Sequence, residues 1–213
     1  ATAIREKDLG IWQSWSRLQA LAVVKQIAAG LHQAGFRRGE HLAIVGENRP
    51  RLYFTMIAVQ CLGGIPVPMY QDAIAGEMVY VIDNAEIAYA IVEDQEQVDK
   101  LLEIRAQHPA LTHIYYDDPR GLRHYTQAGL LPYEELQRLG EGLLSVQPNF
   151  VDEEIAKGSP QDTAALVYTS GTTGKPKAVI QTPGMALANA INIQQATGLG
   201  ASDDTLNFLP LFH

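Results

Sequence analysis

Cysteine is almost missing from this chain: Cys61 stands alone among 213 residues. No intramolecular disulfide can form, and no zinc site can be built on paired thiolates, which fits a reducing, cytoplasmic setting. Cys61 itself reads as a small buried hydrophobe beside Leu62. Positive charge is also scarce. With 16 Lys and Arg against 24 Asp and Glu, the formal net charge is −8. That charge repels polyanions and argues against nucleic acid or an anionic membrane surface as a partner, so any anionic ligand must find a local site. Long apolar runs are lacking too, which excludes a transmembrane segment, and the opening ATAIREKDLG carries charges where a signal peptide needs its apolar core. Peripheral membrane contact and oligomeric state stay open.

What is present is a 46% hydrophobic composition, enough to bury a real core in one large domain or two small ones. The stretch SWSRLQALAVVKQIAAGLHQAG spaces Trp15, Leu18, Leu21, Ala22, Ala28 and Leu31 for one face of a helix, with Ser14 as cap and Gly35 as stop. A repeated unit follows. Strands are expected at His41 to Val45, Ile65 to Met69, Ala88 to Val92 and Thr112 to Tyr116, with helices between them at Arg51 to Leu62, Gly76 to Asn84 and Gln95 to Ala106. Strands alternating with helices at this spacing predict an α/β fold, a mostly parallel sheet layered α/β/α.

From Asp117 to Pro160 the pattern loosens, and surface loops with one or two short helices are expected. Then Thr163 to Thr169 reads as a buried strand, Lys177 to Thr182 as its hairpin partner, GMALANAINIQQATG as a helix, and Thr205 to Leu209 as a last strand.

The stretch LVYTSGTTGKPKAV joins the two hairpin strands through a turn crowded with hydroxyls. Gly171 and Gly174 permit positive φ and close approach of backbone N–H groups to one point. Thr169, Ser170, Thr172 and Thr173 add hydroxyl donors and Lys175 adds a cation, an inventory suited to a polyphosphate. The Walker pattern fails, because the two glycines are too close and Pro176 follows the lysine where a hydroxyl and a helix start belong. Pro176 also biases Lys175 toward extended backbone. On composition alone, a flexible hairpin tip explains the turn equally well.

The order of the residues favours the phosphate reading. YTSGTTGKPKAV resembles the signature loop of the AMP-forming acyl- and aryl-CoA synthetases, [YF]-T-S-G-[ST]-T-G-x-P-K-G-V, and departs from it only at Ala178. GENRPRLYFTMIAVQCLGGIPVPMY is similar to the early strand-helix-strand segment of that superfamily, and the terminal LPLFH to its next core motif. REKDLGIWQSWS and YYDDPRGLRHY look most like the bacterial long-chain fatty acid–CoA ligases.

The resemblance implies a two-step reaction. A carboxylate attacks the α-phosphate of Mg-ATP and releases pyrophosphate; the CoA thiol then attacks the acyl carbon and expels AMP. By position, Thr169, Ser170, Gly171, Thr172, Thr173, Gly174 and Lys175 would contact ATP, with Thr169 also a Mg²⁺ ligand, while His213 would act between the nucleotide and acyl sites. Lys177 would serve the loop's base or the surface. Against family members more than twice as long, the chain corresponds to the front part of the large N-terminal domain, without the C-terminal domain and its catalytic Lys, and would not complete the reaction alone. A fatty acid, an aryl acid or an amino acid remains open as substrate, CoA or a carrier-protein pantetheine as acceptor. The competing class is a non-catalytic anion-binding or scaffolding domain of the same fold.

Other candidates read blandly. His108, His113 and His124 lack metal-ligand spacing and read as solvated loop residues. Asp117/Asp118 and Asp203/Asp204 suit turns or caps, and Met56, Met69 and Met78 suit core filling. Ala178, where the family has glycine, is expected in extended backbone.

Overall fold

A computed structural model describes residues 1–169, 175–200, 203–207 and 209. The chain opens with an antiparallel hairpin of β1 (Thr2–Asp8) and β2 (Ile11–Ser16), then enters α1 (Arg17–Gln33). The hairpin was not legible as strand because most of its side chains are exposed, so no apolar alternation marks it. The cap of α1 is Ser16 rather than Ser14: its Oγ accepts from Gln19 N, and the Gln19 side chain accepts from Ser16 N, a reciprocal capping box. The buried face is also rotated from the expected one. Val24, Ile27, Ala28, Ala29 and Leu31 are buried while Leu18 and Leu21 are exposed.

The repeated unit forms as expected, within a residue at most boundaries. β3 (His41–Val45), α2 (Pro50–Cys61), β4 (Ile65–Met69), α3 (Ala75–Asn84), β5 (Tyr89–Val92), α4 (Gln95–Arg105) and β6 (His113–Tyr116) alternate along the chain. The strands form an all-parallel sheet in the order β4-β3-β5-β6-β7, its edge being β7 (Leu130–Pro132). Alternate strand residues face two cores. Leu42, Ile44, Ile91 and Tyr115 pack under α1, α2 and two later helices, α5 (Tyr133–Val146) and α6 (Phe150–Ile155). Ala43, Val45, Val67 and Val92 pack under α3 and α4. Both faces are covered, as a parallel sheet requires.

The region between Asp117 and Pro160 is more ordered than loops with short helices. α5 runs for 14 residues and packs along α1 more extensively than any other pair of elements. Its glycines hid it. A Cβ at Gly140 would lie 1.8 Å from Gln26 O, and one at Gly30 would lie 2.0 Å from Leu136 O. Glycine lowers helix propensity but here allows two backbones to touch.

Beyond it, β8 (Ala165–Thr169) and β9 (Lys177–Gln181) pair antiparallel as the expected hairpin, although β8 is only half-buried. α7 (Pro183–Thr197) is capped by Thr182, whose Oγ1 accepts from Met185 N at 3.2 Å, and ends at Gly198 with φ 72°. It buries no residue among those described. The described residues of the expected strand over 205–209, which are 205–207 and 209, pair with no strand.

The bland readings of the remaining residues divide. Met69 and Met78 are buried and Met56 packs against the core. Cys61 is half-buried against the same core, and burial pushes its thiol pKa up. His108 is no solvated loop residue: its Nδ1 sits 2.6 Å from Asp83 Oδ1. His113 stacks on Tyr89 with ring centroids 4.8 Å apart.

Candidate functional site

The hairpin of β8 and β9 is the frame of the expected phosphate loop. Its register pairs Thr169 with Lys177 and Tyr168 with Ala178, so the two chain ends of the loop are fixed across one antiparallel rung. Ala178 lies in extended strand as expected, which explains why a side chain replaces glycine there without strain. Lys177 is exposed at the base of the loop. Ser170, Gly171, Thr172, Thr173 and Gly174 lie outside the described residues, as does His213. Thr169 and Lys175 therefore carry the described part of the site.

The stem is anchored through β8 and the residue before it. β8 lies against β4, and Leu166 and Tyr168 pack on the core under α3. The Tyr168 hydroxyl donates to Asn84 Oδ1 at 2.6 Å, and Gln60 Nε2 donates to Ala164 O at 2.8 Å. Burial raises the pKa of the Tyr168 phenol, so the hydroxyl stays a donor at neutral pH.

Between the carboxyl end of β4, α3 and the hairpin lies an open cleft of about 840 Å³. Tyr70, Glu77, Tyr80, Tyr168, Thr169 and Lys175 supply its polar groups. Lys175 is the cation among these lining residues, and its Nζ rests 5.6 Å from the centroid of the Tyr80 ring. An ammonium over an aromatic face is held by roughly 0.5–1 kcal/mol at an exposed site. That is less than roughly 1.5–3 kcal/mol for a hydrogen bond to a charged group, so an arriving anion outcompetes the ring. Thr169 adds a hydroxyl at the rim. Of the residues expected to contact ATP, Thr169 and Lys175 line this cleft; Tyr80 and Tyr168, to which the sequence reading gave no role, join them through the fold.

A second polar cluster sits at the carboxyl ends of β3, β5 and β6, where the strand order reverses and open α/β sheets place ligands. Here it is occupied by the protein's own charges. Glu93 accepts from Glu47 N at 2.6 Å and from Arg49 Nε at 2.7 Å. Arg51 Nη1 bridges Asp117 at 2.8 Å and Glu134 at 2.7 Å. Asp117 thus does more than shape a turn, whereas Asp118 has the expected turn role, its Oδ1 accepting from Arg120 N at 2.9 Å. Among the described residues, no group of three or more His, Cys, Asp or Glu is placed to hold a metal ion.

Comparison with known proteins agrees with this architecture. A long-chain-fatty-acid–CoA ligase of Xenopus laevis, ACSBG2, is 28% identical over 219 aligned residues, covering 99% of this chain and 28% of the relative. The 4-coumarate–CoA ligase 4 of Arabidopsis thaliana is 30% identical, covering 89% of this chain and 32% of its own. Among solved structures, the o-succinylbenzoate Coenzyme A synthetase MenE of Bacillus subtilis, in complex with AMP, superposes with a TM-score of 0.69 at 22% identity, covering 100% of this chain and 46% of that one. This chain thus spans about a third or less of the length of these two curated relatives. Residues 1–213 match the family described as AMP-binding enzyme, and the chain belongs to that family.

Proposed function

We propose that this chain is the front part of an ATP-dependent ligase that activates a fatty acid as its acyl-adenylate and passes the acyl group to CoA. The observation that carries this reading is the hairpin cleft, where Lys175 and Thr169 bracket a run of hydroxyl and glycine residues whose stem is fixed to the sheet. In the first step the carboxylate oxygen bonds to the α-phosphorus while the bond to the pyrophosphate oxygen breaks. Charge builds on the leaving phosphates, and pre-placed donors and a cation lower that barrier. Lys175 leaves the Tyr80 ring to neutralise it. Mg²⁺, which keeps substrate phosphates and water among its ligands, would take Thr169 Oγ1 as its protein ligand here.

Fatty acid is preferred over other acids because the ACSBG2 relative aligns along almost the entire chain and is named for that substrate class. The test is acid-dependent exchange of pyrophosphate into ATP by the ligase containing this chain, across fatty, aryl and amino acids. Exchange driven best by long-chain fatty acids is the expected result. Exchange with another acid class overturns the substrate, and ATP binding without any exchange favours a non-catalytic anion-binding domain.

A further inference from the structure

α3 meets the β8–β9 hairpin at both ends of the loop expected to hold phosphate. On the entering side the Tyr168 hydroxyl donates to Asn84 Oδ1 at 2.6 Å. On the leaving side Lys175 Nζ lies 5.6 Å from the centroid of the Tyr80 ring. Tyr80 and Asn84 stand one turn apart in α3, so they share a face. One strip of a single helix therefore holds both contacts.

Both sides of the Tyr80 contact have fixed bases. The ring packs on the core that Met78, Val81 and Ile82 of the same helix enter. Pro176 restricts the backbone of Lys175, and the chain passes directly into β9, where Lys177 pairs with Thr169. What can move is the lysine side chain, a flexible four-carbon stem with an ammonium at its end. Glu77, the carboxylate that lines the same cleft, is engaged at the start of its own helix, where it accepts from Ile74 N at 3.1 Å. Among these lining residues the ammonium has the Tyr80 ring as its partner.

A neutral ring holds an ammonium more weakly than a phosphate oxygen does. The contact keeps Lys175 beside the cleft yet yields it to an arriving anion. Because the contact exists only while the site is empty, its whole worth is subtracted from the affinity for that anion. We propose that Tyr80 is a positioning residue that competes with bound polyphosphate for the Lys175 ammonium, holding it in the empty site and taking it back as the anion leaves. Tyr80 thereby eases the release of pyrophosphate. That pyrophosphate is the anion released in turnover rests on the ligase reading above; the exchange of Lys175 between ring and anion does not.

The test titrates the full-length protein containing this chain with inorganic pyrophosphate in a calorimeter. Tyr80→Leu is expected to tighten binding roughly two- to fivefold, the worth of one cation–ring contact, mostly through slower dissociation. Tyr80→Phe keeps the ring face and should restore the parent affinity within about twofold. In a Lys175→Met background Tyr80→Leu should change nothing, because the contact is already gone. NMR of the protein with isotope-labelled methyl groups on its lysines reads the contact directly, and it decides the matter even where Tyr80→Leu fails to fold. The Lys175 signal, identified by its loss in Lys175→Met, should be shifted upfield by the ring in the empty protein and return to the ordinary lysine position when pyrophosphate is added. Binding by Tyr80→Leu no tighter than the parent, tightening that persists without Lys175, or a Lys175 signal that pyrophosphate leaves in place overturns the proposal. Tighter binding by Tyr80→Leu in a protein that exchanges pyrophosphate with no acid upholds the competition and removes the ligase reading.

Discussion

Two alanine substitutions in α5, two residues apart, are expected to move stability in opposite directions. At Gly142 an added Cβ meets nothing within 4 Å, so Gly142→Ala gains only helix propensity, about 0.5–1 kcal/mol. At Gly140 the same methyl lands 1.8 Å from Gln26 O, whereas ordinary contact begins at 3.4 Å, so α1 and α5 must part by the difference, about 1.6 Å. A gap of roughly 0.5–1 Å already forfeits a quarter to a half of a dispersion well. The contacts of Ile27, Leu31, Leu136 and Leu143 in that core would therefore weaken together. Overpacking of this kind typically costs about 1–3 kcal/mol and outweighs the propensity gain. A net loss near 2 kcal/mol is expected for Gly140→Ala, which for a chain of this size lowers Tm by about 4–8 °C. Gly142→Ala should raise Tm by about 1–4 °C. Thermal and urea unfolding followed by far-UV circular dichroism reads both. A Gly140→Ala protein as stable as the parent would refute the close backbone crossing, and a destabilised Gly142→Ala would refute the open surface assigned to that turn.

Two further outcomes concern the site and pH. Lys175→Met should cut acid-dependent pyrophosphate exchange by the intact ligase roughly ten- to hundredfold, the worth of one hydrogen bond to a charged group. Its Tm should hold, because Lys175 is exposed; an unchanged exchange rate removes Lys175 from the phosphate site. His32, by burial and then the nearby Arg37 charge, and His113, by burial, are held below the ordinary imidazole value of 6.5 in the folded chain. The unfolded chain therefore takes up protons first, so their contribution is full above about pH 6.5 and is lost as pH falls below it. Urea midpoints should drop between pH 7 and pH 5, and the double variant His32→Gln, His113→Asn should flatten that drop; parallel slopes in the two proteins would contradict the assignment.

The sequence by itself determined the strands from His41 to Tyr116, because each is a short apolar run bounded by turn residues, and the helices between them, because crossover spacing leaves little choice. It also determined the pairing of β8 with β9 as a hairpin, since two short strands that flank a dense turn motif have each other as the nearest partner. Tertiary structure alone decided the rest. The helical state of Tyr133–Val146 depends on a backbone crossing that Gly30 and Gly140 permit, a benefit that no local propensity registers. Which side of α1 faces inward depends on α2 and α5 flanking it together, so Leu18 and Leu21 point to solvent despite their spacing. The hydrogen bond from Asn48 Nδ2 to Leu209 O joins residues 161 positions apart. Asn48 acquires that partner only when the fold brings a distant carbonyl within reach, because a hydrogen bond is specified by position in space and not by neighbours in the chain.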